Sequence, residues 1–392
     1  MKKLVFPLFL LSFWLRIQAQ PKLPPLDHAT LQFKLALKAI DQAKTKNANL
    51  VSPRSLREDT LFMVPSRDWT SGFFAGNLWY LYELSGDQFW QQKAREFTAH
   101  IEREKTNGTT HDMGFKMYCS FGNGYRLSKD PQYRDILLQS ARTLSTRFNE
   151  KIGCLRSWDH STDKWAFPVI IDNMMNLELL FWAFKQTQDS LFYKVAVSHA
   201  NTTMSNHFRP DYSSYHVVGY DVKTGQAIQK NTHQGYSHES AWARGQSWGL
   251  YAYAMCYRET GKTAYLQHAE NIAQFILNHP NLPKDLVPYW DFNAPDIPNA
   301  PRDASAAALM ASAFYELGTL VPAKAKFYHH TADKILQNLT KKYRTTPNTH
   351  AGFLLTQSTG HLPGKHEINV PIVYADYYYL EALLRKKNLR KS

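Results

Sequence analysis

The feature that most constrains this chain is a phrase that recurs along it: an aromatic-rich helical stretch, a short polar turn, and a second, more polar helical stretch. It reads NLWYLYELSGDQFWQQKAREF from Asn77, CSFGNGYRLSKDPQYRDILLQSARTL from Cys119 and LLFWAFKQTQDSLFYKVAVSHA from Leu179. It returns as YAYAMCYRETGKTAYLQHAENIAQFI from Tyr251 and ASAFYELGTLVPAKAKFYHHTADKIL from Ala311, and YADYYYLEALLR from Tyr374 closes the series. Apolar residues fall at helical spacing almost throughout and alternating stretches are scarce, which predicts an all-α fold. Each first helix is apolar nearly all round and each second is amphipathic, the pattern of an inner layer covered by an outer one. Counting the closing helix, about six such hairpins fit the length. Inner and outer helices in that number close into an (α/α)6 barrel, with a site where loops meet at one end of the inner ring. An open α-solenoid is the alternative; the long, polar, aromatic-rich loop at 202–242 favours the barrel, because a plain scaffold has no use for it.

No Gly/Ser or Pro-rich linker divides the repeats, so the 392 residues read as one catalytic domain, 20–392, behind a leader at 1–19. The leader expectation rests on Lys2 and Lys3, an apolar run from Leu4 to Leu15, and small or polar residues around Ala19. It predicts export, periplasmic or secreted, and no membrane attachment once the leader is cut. The formal charge of +13 raises the question of a polyanionic partner. Three of those charges lie in the leader, however, and five more at Arg385, Lys386, Lys387, Arg390 and Lys391, which leaves +5 for 21–384. A body of that charge is not a nucleic-acid binder by composition, and the terminal cations read as a solvated helix end. The three cysteines, Cys119, Cys154 and Cys256, form neither a disulfide framework nor a metal pair. HExxH, Walker A, dinucleotide-binding and GxSxG patterns are all absent, and the histidines have no compact metal spacing, so neither a cofactor nor a metal is expected.

The inner helices begin with groups that packing does not require. HDMGF at 111–115 places His111 and Asp112 at one helix start, and IIDNMMN at 170–176 places Asp172 and Asn173 at another. Taken singly, each Asp reads as well as an N-cap. Two carboxylates at the same end of an inner layer also suit a pair facing across a cavity, where burial and mutual repulsion raise one pKa toward neutrality. A third segment, THQGYSHESAWARGQSWGLYAY from Thr232, crowds Gln234, Trp242, Arg244 and Trp248 ahead of another inner helix. Trp beside Arg in a polar loop suits an anionic sugar, the ring stacking on a face while the guanidinium takes a carboxylate in a bidentate pair. The packing alternative is a Trp beneath the helix start with Arg244 bonded to a neighbouring Asp. Upstream, 213–226 reads as a short hairpin carrying His216 to the same rim.

Seven ordered blocks then carry a resemblance: RDWTSGFFAGNLWYLYELSGD (67–87), HDMGF (111–115), IIDNMMNLELLFWA (170–183), SYHVVGYDVKTG (214–225), HQGYSHESAWARGQSWGLYAY (233–253), PRDASAAA (301–308) and PIVYADYYYLEALLR (371–385). Together they resemble the unsaturated glucuronyl hydrolases of glycoside hydrolase family 88. The resemblance implies an (α/α)6 barrel and removal of the 4,5-unsaturated uronic acid that lyases leave at the non-reducing end of oligosaccharides. It implies Asp172 as general acid/base and Asp112 as the second essential carboxylate. His216, Gln234, Trp242 and Arg244 would line the pocket for the unsaturated ring, with Thr232, Trp248 and Trp158 nearby and His111 a further substrate-binding candidate. Relatives acting on sulfated fragments tend to carry a Ser-x-x-Ser-x-Lys-like segment, where this chain has GHLPGK at 360–365. Lys365 remains as a candidate contact and the serines do not. The rival expectations are an unsaturated rhamnogalacturonyl hydrolase and a non-catalytic sugar-binding barrel; the paired carboxylates speak against the second.

Overall fold

The computed structural model describes residues 23–389 apart from 46 and 48; the expected leader and the last two tail cations, Arg390 and Lys391, lie outside the described residues. In chain order the elements are α1 (Pro25–Lys44), the hairpin β1 (Ser52–Arg57) and β2 (Thr60–Val64), α2 (Ser71–Ser85) and α3 (Gln88–Ala99). A π-helical run, Gly114–Gly122, continues into α4 (Asn123–Ser128), followed by α5 (Pro131–Ser145) and the short pair β3 (Phe148–Asn149) and β4 (Cys154–Leu155). After β5 (Pro168–Ile170), a 3-10 run, Ile171–Asn176, continues into α6 (Leu177–Thr187), then come α7 (Ser190–Asn206), β6 (Val217–Tyr220) and β7 (Ala227–Asn231). The last five helices are α8 (Ala243–Thr260), α9 (Thr263–Asn278), α10 (Ala304–Leu320), α11 (Ala325–Asn338) and α12 (Val373–Leu389).

The inner ring closes as α2, the π-helical run with α4, the 3-10 run with α6, α8, α10 and α12, the last packing back on α2. Outside it α3, α5, α7, α9 and α11 each lie on their inner partner, and α1 covers α2 at the seam. This is the (α/α)6 barrel. Local chemistry makes the hairpins. Four inner segments end on a left-handed residue, at Gly86, Lys129, Gln188 and Gly261, which turns the chain back on itself. Three of the following outer helices start on an Asp whose side chain accepts a backbone N–H: Asp87 from Phe89, Asp130 from Gln132 and Asp189 from Leu191. Each such cap stabilises its helix by about 1 kcal/mol. The aromatic inventory fills the core, with Trp79, Trp90, Trp248, Tyr253 and Phe73 essentially sealed from water, each contributing on the order of 1.5–3 kcal/mol.

Two departures from the helical expectation bear on the site. The inner segments at Gly114 and Ile171 begin as π and 3-10 turns, not as α-helix. The backbone passes too closely there for a side chain, since a Cβ on Gly114 would sit 2.6 Å from the Cα of Asn176 and one on Gly72 2.2 Å from the Lys116 carbonyl oxygen. The expected hairpin is also larger than 213–226: β5, β6 and β7 form a three-stranded antiparallel sheet, with the turn at 221–226 and His216 just before β6. The basic end of the chain is not a solvated tail as far as it is described. Arg385 pairs with Glu316, Lys386 with Asp333, and Lys387 donates to the Leu84 carbonyl.

Candidate active site

The starts of the inner segments converge on a cavity of about 560 Å³. Trp69, ahead of α2, Asp112, ahead of the π-helical run, Asp172, in the 3-10 run, Arg244, in the first turn of α8, and Tyr374, in that of α12, all line it. The loops complete it with Arg54 from β1, Trp158 and His160, His233 and Gln234, and a hairpin strapped by the His361–His366 bridge. Arg54 holds that hairpin in place by a two-nitrogen ion pair to Glu367, at 2.6 and 2.8 Å, and reaches Asp68 at 3.0 Å. The neighbouring His366 and then Arg54 hold the Glu367 carboxyl well below the usual range despite its burial.

Asp172 is the chemically unusual group. Burial pushes its pKa up to about 7. The Arg244 charge, its own backbone N–H and the Trp248 indole N–H oppose the rise, and the neighbouring Asp112 adds to it. Its Oδ2 is buried without a hydrogen-bond partner among the described residues, 3.6 Å from His216 Nε2. His216 is buried as well. Its Nδ1 accepts the backbone N–H groups of His233 and Gln234, both at 3.0 Å, which leaves the neutral ring's proton on Nε2, facing Asp172. Asp112 sits half-buried, with Oδ2 accepting from Thr110 at 2.6 Å and Oδ1 3.2 Å from His111 Nε2. The capping alternative is not realised: neither carboxylate caps its segment, whose flanking residues are Met113 and Ile170. Asp303 does cap α10, through Ser305 and Ala306.

Several candidates stand elsewhere than the sequence suggested. His111, Trp158, Gln234 and Arg244 line the cavity beside the two carboxylates. Arg244 is not a free fork, though. Its Nη1 donates to Asp303 at 2.9 Å and to the Thr359 carbonyl at 2.6 Å, and Nη2 to the Gly360 carbonyl at 2.6 Å. The Nε edge is sealed from solvent, so a two-pronged grip on a ligand carboxylate would need that edge to open. The packing alternative therefore describes Arg244 better. Trp242 is a wall behind the cavity and not part of its lining, its ring tilted against His216 at 4.7 Å with the Arg244 guanidinium 4.5 Å from it. Trp248 is fully buried between Phe115 and Tyr378. Thr232 builds the loop, its hydroxyl accepting from Gly235 at 2.7 Å. Lys365 stands exposed at the hairpin tip, outside the lining.

Sequence reasoning passed over Trp69, Arg54, His160, His233, His361, His366, Glu367 and Tyr374, all of them in the lining. Trp69 could have been found, because it precedes an inner helix as Asp112 and Asp172 do. Its ring lies 5.1 Å from Tyr374 and 5.4 Å from Phe115. Arg54 sits on a strand and His160, His233, His361, His366 and Glu367 in loops, where no periodicity points to them, whereas Tyr374 opens α12 and its aromatic run reads as inner-wall packing. Among the described residues no group of His, Cys, Asp and Glu is placed to hold a metal ion.

A helical barrel whose inner-helix starts gather a near-neutral carboxyl, a second carboxylate and aromatic faces defines a glycoside hydrolase. The chain belongs to Glycosyl Hydrolase Family 88, whose sequence profile matches residues 42–386. It is 51% identical to an unsaturated glucuronyl hydrolase of Formosa agariphila over 87% of this chain and 85% of that one. It is 32% identical to an unsaturated chondroitin disaccharide hydrolase of Streptococcus pneumoniae over 82% and 83%. Among solved structures it resembles an unsaturated glucuronyl hydrolase specific for heparin, with a TM-score of 0.87 and 46% identity over 93% of this chain and 98% of that one.

Proposed function

We propose that this enzyme removes the 4,5-unsaturated uronic acid from the non-reducing end of glycosaminoglycan oligosaccharides by hydrating the double bond, with Asp172 as the general acid/base. The observation that carries the reading is a buried carboxyl poised near neutral pH, with one oxygen unpartnered, in a cavity of disaccharide size. Protonated Asp172 gives its proton to C4, and positive charge develops at C5 and the ring oxygen. Asp172, now an anion, takes a proton from water as that water adds to C5. The hemiketal so formed opens and releases the remaining sugar, leaving a 4-deoxy-5-keto uronic acid. His216, with its proton on Nε2, orients Asp172 and the water; Asp112 faces the developing charge; Trp69 and Trp158 offer the sugar its stacking surfaces. General acid/base help accounts for about 10²–10⁴-fold of the rate, and positioning and electrostatics for the rest.

The enzyme works as one catalytic unit from about residue 20 onward, exported behind the leader at 1–19; the leader pattern supports this, and the N-terminal mass of the mature protein tests it. The reaction is tested by following loss of the C=C ultraviolet absorbance with unsaturated chondroitin, hyaluronan, heparin and rhamnogalacturonan disaccharides. Turnover is expected on the glycosaminoglycan substrates. Turnover confined to rhamnogalacturonan would move the enzyme to pectin, and no turnover on any of them would leave a sugar-binding barrel.

A further inference from the structure

Asp303 stands at the start of α10, outside the cavity lining, and is sealed from water. Its two oxygens do different things. Oδ1 accepts the backbone N–H groups of Ser305 and Ala306 and the Ser305 hydroxyl, which starts the helix. Oδ2 accepts from Arg244 Nη1 at 2.9 Å, so the same carboxylate partners a guanidinium that is itself buried. A cap needs no charge, because Asn and Ser serve that purpose as well as Asp. A buried guanidinium does need one, since an unbalanced charge away from water is strongly destabilising. The other acceptors of Arg244, the Thr359 and Gly360 carbonyls at 2.6 Å each, carry no charge to balance it.

We propose that Asp303 is a positioning residue of the hydrolase, which fixes Arg244 with one oxygen and balances its charge beside Asp172. The site holds a conflict that this arrangement resolves. Arg244 is the strongest of the neighbours that favour the Asp172 anion, and a bare cation there would draw off the proton that the acid must keep. With Asp303 behind it the pair is neutral overall, and burial decides the state of Asp172. The remaining groups facing Arg244 and Asp172 cannot take over. Tyr374 faces Arg244 from α12, and burial keeps its hydroxyl neutral. His216, ahead of β6, and His361, in the strapped hairpin, face Arg244 as rings that burial keeps uncharged. Glu367 is engaged by Arg54 through two hydrogen bonds. Asp112 faces Asp172 and works in the same direction as burial.

This rests on the assignment of Asp172 as acid/base, and the pH profile of kcat/KM separates the two claims. Asp303→Asn keeps a capping oxygen and leaves Arg244 unbalanced, so Asp172 should lose its proton more readily. The falling alkaline limb should move down by about one pH unit, with turnover retained on its acid side. An even loss of rate at every pH, with the limb unmoved, would overturn the proposal and leave Asp303 as a helix cap. The double variant Arg244→Met/Asp303→Asn removes both charges and should return the limb to its wild-type position or above. Having no unpaired buried charge, it tests the proposal even where the single variant does not fold, and a limb below that of the wild type overturns it. A wild-type profile with no fall near pH 7 would overturn the role of Asp172, and this inference with it.

Discussion

The barrel has two buried charged clusters, one at each end of its inner ring, and they are built on opposite rules. At the far end, where the inner helices finish, Glu381 accepts from Tyr80 at 2.8 Å and Tyr251 at 3.1 Å on one oxygen, and from Ser312 on the other. Arg385 and Arg258 both bond Glu316, at 2.7 and 2.5 Å, and Arg258 also reaches Glu178. A cavity of about 200 Å³ lies among them, yet each of these carboxylates and guanidiniums is engaged. The cations there also sit at helix C-termini, where the dipole favours them. At the near end, Asp172 Oδ2, His216 Nε2, His111 Nε2 and Arg244 Nε lack hydrogen-bond partners among the described residues. Burial is common to both; satisfaction is not. Where buried polar groups are satisfied the cluster serves stability, and where they are left open they are available for chemistry.

The sharpest way to break this comparison is Asp172→Asn. The near end should lose about 10²–10⁴-fold in kcat and gain stability. The sign follows from linkage: the folded pKa, about 7, stands above the usual 3.8, so the stabilising neutral form is fully present below the unfolded value and is lost as pH rises through about 7. Asparagine never ionises, so its advantage over wild type should grow from pH 4 to pH 7 and then level off in denaturant unfolding. Intact turnover would remove Asp172 from the mechanism. For the wild type the same pKa sets a fall in rate above about pH 7, the acid form being the one that reacts.

Glu381→Leu probes the other end. It strips the acceptor from Tyr80, Tyr251 and Ser312 and the ion-pair partner 3.7 Å from Arg385, and breaking a buried ion pair costs about 3–5 kcal/mol of stability. At a temperature where the variant is folded, kcat should remain within about twofold, since the site lies at the other end of the helices. Lost turnover in a protein of normal stability would show that the two ends are coupled. Next in size is Trp69→Ala, where the loss of one stacking face should lower kcat/KM about tenfold, mostly through KM. An unchanged KM would leave Trp69 as a packing residue under Phe115 and Tyr374.

The two ends also differ in how legible they were. The helical hairpins are written in the sequence, because apolar period and turn chemistry are local: Gly86 and Asp87, or Gln188 and Asp189, define an inner end and an outer start with no help from the rest of the fold. Asp112 and Asp172 were legible because they lie at inner-helix starts without a packing reason. What was not legible was partner choice across long separations. Nothing near Arg244 announces that Asp303, Thr359 and Gly360 will take its hydrogens. Nothing around 358–370 announces a strap held by Arg54, more than 300 residues away in sequence. The far-end network was invisible for the same reason, and Arg385 was mistaken for a solvated cation because its partner Glu316 lies in another helix.

Lys365 offers the smallest effect and the finest test of which loop groups belong to the near end. It stands exposed at the hairpin tip with φ +56°, and its side chain does not line the cavity. An exposed ammonium acts through water and salt, where its influence fades over about 10 Å. Lys365→Gln keeps the length of the stem and the cost of the positive φ, and removes only the charge. Measured on unsulfated and sulfated unsaturated disaccharides, kcat/KM should change by less than about twofold on either, in line with ordinary surface substitutions. A loss of tenfold or more confined to the sulfated substrate would mean that the hairpin bends over its ligand and brings Lys365 into the site. The boundary of the near end would then have to be drawn one loop further out, beyond the Arg54–Glu367 clasp.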